Sequence, residues 1–242
     1  MKTAPENTTL LIKTIARPEA LRRLLASIRD FYPYIPILVA DDSEVPYVGV
    51  SQPFGAKHIS LPHDVGLSFG RNALVDAART EFVVLLDDDF VFTEKTDLRK
   101  LVAPVQGQVF EICGGTVLHN GRLTHYEGRM WKKGDILHLS PLRSDGAPIR
   151  VDICYNFFAA RREVLRKKVR WHNDLKMCEH QAFFLDAKAA GVRVGYLPTV
   201  EINHMPASSK NYGGYRNVRS TQFYERFLEL YGLSEIRGSL SA

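Results

Sequence analysis

Phe82 to Phe92, FVVLLDDDFVF, constrains the fold more than any other stretch of the chain. Phe82, Val83, Val84, Leu85 and Leu86 are apolar without alternation, the pattern of a strand covered on both faces of a parallel sheet. Such a strand is central and needs helices on either side, which places the chain among the α/β folds. Asp87, Asp88 and Asp89 follow at its expected carboxyl end, where open α/β sheets bind their ligands. So much like charge in one turn is unfavourable unless a cation neutralises it, so the triplet points to a metal site. Taken alone, the same residues also fit a solvated acidic turn.

The residues before this strand repeat the pattern. Thr8 to Ile15 reads as a first buried strand, and Pro18 suits the first turn of the helix that follows. Leu21, Leu24, Leu25 and Ile28 then recur at helical spacing and give one apolar stripe to lay on the sheet. Ile35 to Ala40 is a second strand that stops at Asp41, Asp42 and Ser43. If the two strands are parallel neighbours, as the right-handed βαβ rule implies, Asp42 and the aspartate triplet share one edge of the sheet. Ala56 to Leu61 is a short third strand, and His63 to Asn72 leads into a helix for which Ser68 is the expected cap. Gly66 and Gly70 let the backbone approach a ligand closely, and a helix start beside Arg71 suits an anion such as a phosphate. A glycine turn with a solvent-facing arginine is the alternative.

Composition narrows the class. The 242 residues are 45% hydrophobic, ordinary for a globular protein of one large or two small domains. No apolar run approaches the roughly 20 residues that span a bilayer, and Met1 to Thr9 is polar. Cys113, Cys154 and Cys178 are odd in number and far apart, which argues against a disulfide framework and for a reducing compartment. The expected location is the cytoplasm, at most peripheral at a membrane. A net charge of +5 suits anionic partners such as nucleotides, lipid headgroups or nucleic acid.

In the second half, Asp97 to Val105 is an expected helix and Val109 to Leu118 a strand, with Gly114 and Gly115 marking a bulge or a close approach. Asn120-Gly121 is a strong hairpin signal, Trp131, Lys132 and Lys133 fall in a loop-rich region, and Ile149 to Cys154 is a further strand. Arg161 to Arg170 reads as a solvated helix face, because the interleaved aromatics of a nucleic-acid patch are missing. Glu179-His180 opens a helix that ends at Gly191, with a carboxylate and an imidazole on its first turn. Val192 to Leu197 and Thr199 to Ile202 are expected as two short strands, followed by His204 and a Ser-, Gly- and Tyr-rich segment, Met205 to Arg216, with the character of a lid. Phe223, Phe227, Leu230 and Tyr231 make the last helix amphipathic.

In order along the chain, VADDS, DVGLSFGRN, LLDDDF, WHNDLKMCEHQAFFLDAKAAGVRVGYLP and INH resemble nucleotide-sugar-dependent glycosyltransferases of the GT-A fold. Within that fold the sequence is most similar to the ganglioside-type β-1,4-N-acetylgalactosaminyltransferases and their bacterial family-2 relatives, over Thr9 to Pro206. The resemblance implies a single GT-A (Rossmann-like) α/β domain with a mixed, mostly parallel central sheet flanked by helices. Residues 1–105 would form its nucleotide-binding half, and residues 106–242 its acceptor-binding and catalytic half. It implies a metal-dependent, inverting transfer of a sugar, N-acetylgalactosamine or another hexose or N-acetylhexosamine, from a UDP-sugar to a glycan or glycolipid hydroxyl.

Carried over residue by residue, Asp42 would hold the uracil or ribose and Arg71 would sit near the phosphates. Asp87 and Asp88 would reach the ribose or sugar, and Thr14, Arg17, Asp41, Asp64, Gly66 and Asn156 complete the nucleotide-sugar set. Asp89 and His204 would hold the metal, Mn²⁺ or Mg²⁺, since carboxylate and diphosphate oxygens suit hard cations. Many relatives carry Glu-Asp where this chain has Glu179-His180, as the ganglioside-type enzymes do. Glu179 is the expected general base, with His180 second.

Two other classes compete. A sugar-1-phosphate nucleotidyltransferase would carry a glycine-rich loop directly after its first strand, where this chain has Ala16-Arg17-Pro18. A non-catalytic module for anionic glycans or nucleic acid rests only on the net charge.

Overall fold

The computed structural model describes residues 1–206 and 220–240. The first half is a run of β and α units: β1 (Thr8–Thr14), α1 (Pro18–Phe31), β2 (Ile37–Asp41), the one-turn α2 (Val48–Ser51), β3 (Lys57–Ser60), α3 (Leu67–Ala77) and β4 (Phe82–Asp87). After β4 come β5 (Phe90–Val91), α4 (Leu98–Gln106), β6 (Ile112–His119), β7 (Arg122–Thr124), β8 (Gly128–Lys133), β9 (Ile136–Pro141) and β10 (Ile149–Val151). The remaining elements are β11 (Phe158–Arg161), α5 (Arg162–Lys167), α6 (Glu179–Ala189), β12 (Val194–His204), α7 (Ser220–Tyr231) and β13 (Glu235–Arg237).

A ten-stranded mixed sheet runs β10-β12-β6-β11-β4-β1-β2-β3, with β5 attached to β12 and β7 to β6. β3, β2, β1 and β4 are mutually parallel, so Asp41-Asp42 and Asp87 to Asp89 emerge at one edge. β11 is antiparallel to both of its neighbours, β4 and β6, and joins the parallel block to the β6–β12 pair. The unbroken apolar runs of β1 and β4 follow from burial on both faces. Leu11, Val83 and Leu85 point into a core with Phe183 and Ala182, whereas Leu10, Ile12, Val84 and Leu86 point into another with Leu21, Leu24 and Leu101. A three-stranded sheet, β13-β9-β8, completes the domain. Among the described residues no helix is long and apolar enough to cross a membrane.

Several expectations change at this level. Ser68 does not cap α3: Gly66 stands at the cap, with φ 92°, and the Ser68 hydroxyl donates to the Leu175 carbonyl at 2.7 Å. Trp131 to Lys133 is not a loop but the end of β8, whose partner β9 follows after a tight turn at Gly134. The two short strands expected around Pro198 are one eleven-residue strand, β12, whose register against β6 shifts between Leu197 and Glu201. A bulge takes a proline that cannot donate to the ladder. Gly114 and Gly115 mark close approach: a Cβ on Gly114 would lie 2.6 Å from the Cys154 sulfur, and one on Gly115 2.6 Å from the Phe157 ring. The Asn120-Gly121 turn joins β6 to β7 with φ positive at both residues, as a type I′ turn requires. The segment expected as a lid lies, from residue 207 to Arg216, outside the described residues.

Candidate active site

The acidic end of β2 divides its work between two carboxylates. Asp41 is fully buried, accepting from the backbone N–H of Ser43 at 2.9 Å and of Tyr47 at 2.7 Å. It therefore braces the loop after β2 and does not line the cavity beside it. Asp42 does line it, accepting from the Gly66 N–H at 2.9 Å and from the ammonium of Lys13. Lys13 is buried, and loss of water pulls its pKa down while Asp42 opposes that shift. Gly70 makes room for this lysine, since a Cβ there would lie 2.3 Å from Lys13 Cδ. Asp64, at the rim, pairs with Lys176 at 2.8 Å and so ties the loop before α3 to the loop before α6.

Arg71 is the hub. Only 1% exposed, it reaches from the first turns of α3 to Glu179 Oε1 at 3.0 Å and to Asp87 Oδ1 at 3.1 Å, with Trp171 beneath its guanidinium. One buried cation thus links the strand-end aspartate to the first turn of α6. Asn156 donates to the other Asp87 oxygen at 3.3 Å, and its own side-chain oxygen is buried with no donor among the described residues.

At the turn itself, Asp88 is fully buried and Asp89 almost so. Asp88 accepts from Thr14 Oγ1 at 2.6 Å and from Arg17 Nε at 3.2 Å. Burial pushes its carboxyl up, and the charge of Arg17 only partly offsets this. Asp89 Oδ2 lies 2.7 Å from an Arg17 guanidinium nitrogen and 3.2 Å from His204 Nε2. Burial would raise Asp89, but the hydrogen bond from His204 and the charge of Arg17 outweigh it and hold the carboxyl below its ordinary value. His204 enters on the last residue of β12, which pairs with Phe90 of β5, and its Nδ1 lies 3.1 Å from His119 Nδ1.

Asp89 and His204 thus offer a carboxylate oxygen and an imidazole nitrogen at hydrogen-bonding distance, a donor set that fits Mn²⁺ or Mg²⁺. Among the described residues no group of three or more His, Cys, Asp or Glu side chains is arranged to hold an ion. Two side chains suffice where diphosphate oxygens complete the sphere.

His180 differs from its neighbour. Its Nε2–H donates to the Cys154 carbonyl at 2.6 Å, which leaves Nδ1 a bare acceptor, buried and without a donor among the described residues. Burial, helped by the nearby Arg71 charge, pushes its pKa down to about 3, so the ring is neutral at neutral pH. Glu179 and His180 line the same cavity of about 440 Å³ as Asp87, Asp89 and His204. Of the fourteen expected site residues, all but Asp41 and Asp88 line it.

Lys13, Lys176, Tyr126 and Tyr155 line it as well and were not anticipated. Lys13 had a signal: it is the one charge inside an otherwise apolar and threonine-bearing strand. The tyrosines sit in connecting segments and had none.

Comparison with known proteins fits this geometry. The profile described as Glycosyl transferase family 2 matches residues 9–168. Beta-1,4 N-acetylgalactosaminyltransferase 2 of Mus musculus is 33% identical over 223 residues, covering 86% of this chain and 43% of that one. Beta-1,4 N-acetylgalactosaminyltransferase 1 of Homo sapiens is 32% identical, covering 85% and 41%. The chain thus spans about two-fifths of the length of these relatives. Among solved structures, S. aureus TarS 1-349 in complex with UDP-GlcNAc superposes with a TM-score of 0.69 at 18% identity, covering 93% of this chain and 66% of that one. GalNAc-T7 with UDP, GalNAc and Mn2+ superposes at 0.65 and 16% identity, covering 93% and 51%. The shared fold is GT-A. Strand-end acids, a buried arginine hub and a matching profile over most of the chain agree, and this chain belongs to glycosyl transferase family 2.

Proposed function

We propose that the chain is a metal-dependent, inverting glycosyltransferase that moves a sugar, an N-acetylhexosamine or hexose, from a UDP-sugar to a hydroxyl of a glycan or glycolipid. The observation that carries this reading is the single cavity holding the Asp89–His204 pair and, across the Arg71 hub, Glu179 on the first turn of α6. The relatives' names supply the preference for N-acetylgalactosamine, and solved neighbours with UDP, UDP-GlcNAc or Mn2+ supply the nucleotide and the metal.

A divalent cation between Asp89 and His204 would neutralise charge on the departing diphosphate. Gly66 and Asp42 shape the nucleotide end of the cavity. Arg71 and Asn156 fix Asp87 toward the sugar. In the transfer, the acceptor oxygen bonds to the anomeric carbon as the bond from that carbon to the diphosphate oxygen breaks, and the hydroxyl proton passes to Glu179. Burial holds the His180 pKa near 3, and its Nε2 proton is held by the Cys154 carbonyl, which fixes the ring in place. It positions the first turn of α6.

The test is a pair of variants. Glu179→Gln should keep Mn²⁺-dependent UDP binding by calorimetry and lose roughly 10²-fold or more in kcat, the scale of general-base loss. Asp89→Ala should lose the Mn²⁺ dependence of UDP binding itself. Near-normal turnover by folded Glu179→Gln would remove the base assignment. Undiminished Mn²⁺-dependent affinity in Asp89→Ala would remove the metal site.

A further inference from the structure

Beyond the aspartates and Glu179, the cavity has an aromatic wall. Tyr126 and Tyr155 both line it, their ring centroids 5.1 Å apart and their planes inclined by 36°. The Tyr126 ring also lies 5.2 Å from the His180 ring, and its hydroxyl accepts from Gln181 Nε2 at 2.9 Å, which holds it against the first turn of α6 that carries Glu179. The Tyr155 hydroxyl is tied at 3.1 Å to Thr124 Oγ1. With both hydroxyls anchored, what the pair offers a ligand is ring surface.

Beside this surface lie two buried hydrogen-bond acceptors without donors among the described residues, His180 Nδ1 and Asn156 Oδ1. Both residues also line the cavity. Leaving such atoms unpaired is unfavourable, so the site is completed by a ligand that brings donors. A ligand that stacks on aromatic rings by one face and donates hydroxyl hydrogens at its edge is a pyranose. We propose that Tyr126 and Tyr155 form the acceptor subsite, which takes a pyranose ring of the acceptor glycan by its apolar C–H face, with its hydroxyls directed to His180 Nδ1 and Asn156 Oδ1. The inference rests on the glycosyltransferase reading above and places the acceptor oxygen beside Glu179.

The experiment is saturation-transfer NMR on the whole chain, with UDP and diamagnetic Mg²⁺ present so that the nucleotide end is filled. The probes are methyl β-D-galactopyranoside and methyl β-D-glucopyranoside. The wild type should transfer saturation to the ring C–H protons of one face of at least one probe. Tyr126→Ala and Tyr155→Ala should weaken that signal roughly fivefold, the scale of one lost aromatic contact, whereas Tyr126→Phe and Tyr155→Phe should retain it. UDP affinity, measured on the same samples, should be unchanged and certifies folding; Tyr126→Leu and Tyr155→Leu, which keep the apolar volume but not the ring, serve if an alanine variant fails to fold. No transfer to either probe in the wild type, or equal transfer in the ring-deleted variants, would overturn the subsite. Loss of UDP binding with intact, tyrosine-dependent probe binding would instead strike the donor assignment and leave the subsite standing.

Discussion

At the scale of single residues, the site is governed by where one buried arginine goes. Arg71 satisfies Asp87 and Glu179 together, itself and Glu179 buried and Asp87 about 32% exposed toward the cavity. Removing one member of a buried ion cluster leaves its partners desolvated and unpaired, which is costlier than the net contribution of the cluster suggests. Arg71→Met, similar in volume, is therefore expected to destabilise the fold by about 3–5 kcal/mol, read by urea denaturation. A loss under about 1 kcal/mol, the scale of an exposed pair, would show that the two carboxylates find other partners. Arg71 was legible in the sequence as an arginine after a glycine turn, but its partners were not, because Glu179 is more than a hundred positions away. Asp41 and Asp42 look equivalent in sequence. Only the Ser43 and Tyr47 amides distinguish the bracing carboxylate from the one that faces the cavity.

Among elements, those with apolar runs or helical periodicity were readable, and those shaped by a neighbour were not. β1, β2, β4 and α1 lie within a residue or two of their expected positions, because burial on both faces leaves a mark in composition. β8 was missed because its outward residues, Arg129, Trp131 and Lys133, are exposed and mostly charged, so the alternation is diluted. β12 was divided in two at Pro198, where a bulge keeps the strand going. The same strand holds Gly195, where a Cβ would lie 2.2 Å from the Phe110 ring. Gly195→Ala should therefore cost about 1–3 kcal/mol through overpacking. Gly49→Ala, in α2 with open space around it, should be neutral or add up to about 1 kcal/mol. Equal denaturation midpoints for the two variants would refute the contrast.

At the scale of the whole molecule, histidines withdrawn from water make stability depend on pH. Burial holds His180 near pKa 3, so its ring is neutral in the folded chain while the unfolded chain takes up a proton there below about 6.5, and burial lowers His58 in the same direction. A depressed folded pKa means that this stability is fully present above pH 6.5 and is lost as pH falls from there toward 3. Between pH 7 and 5.5, His180 alone should remove about 1 kcal/mol, and His180→Gln should flatten that part of the slope in urea titrations at each pH. Arg71 and Tyr126, which face His180, do not change charge in this window. A wild-type stability that rises on acidification from pH 7 would contradict the neutral, buried imidazole.

Asp89 and His204 sit far apart in the chain and meet only when β12 has seated on β6 and β5. Pairings of such long sequence separation form late, after the local units of the first half. A nascent chain still tethered at the ribosome before β12 emerges therefore exposes three aspartates without the histidine that pairs with Asp89 in the folded chain.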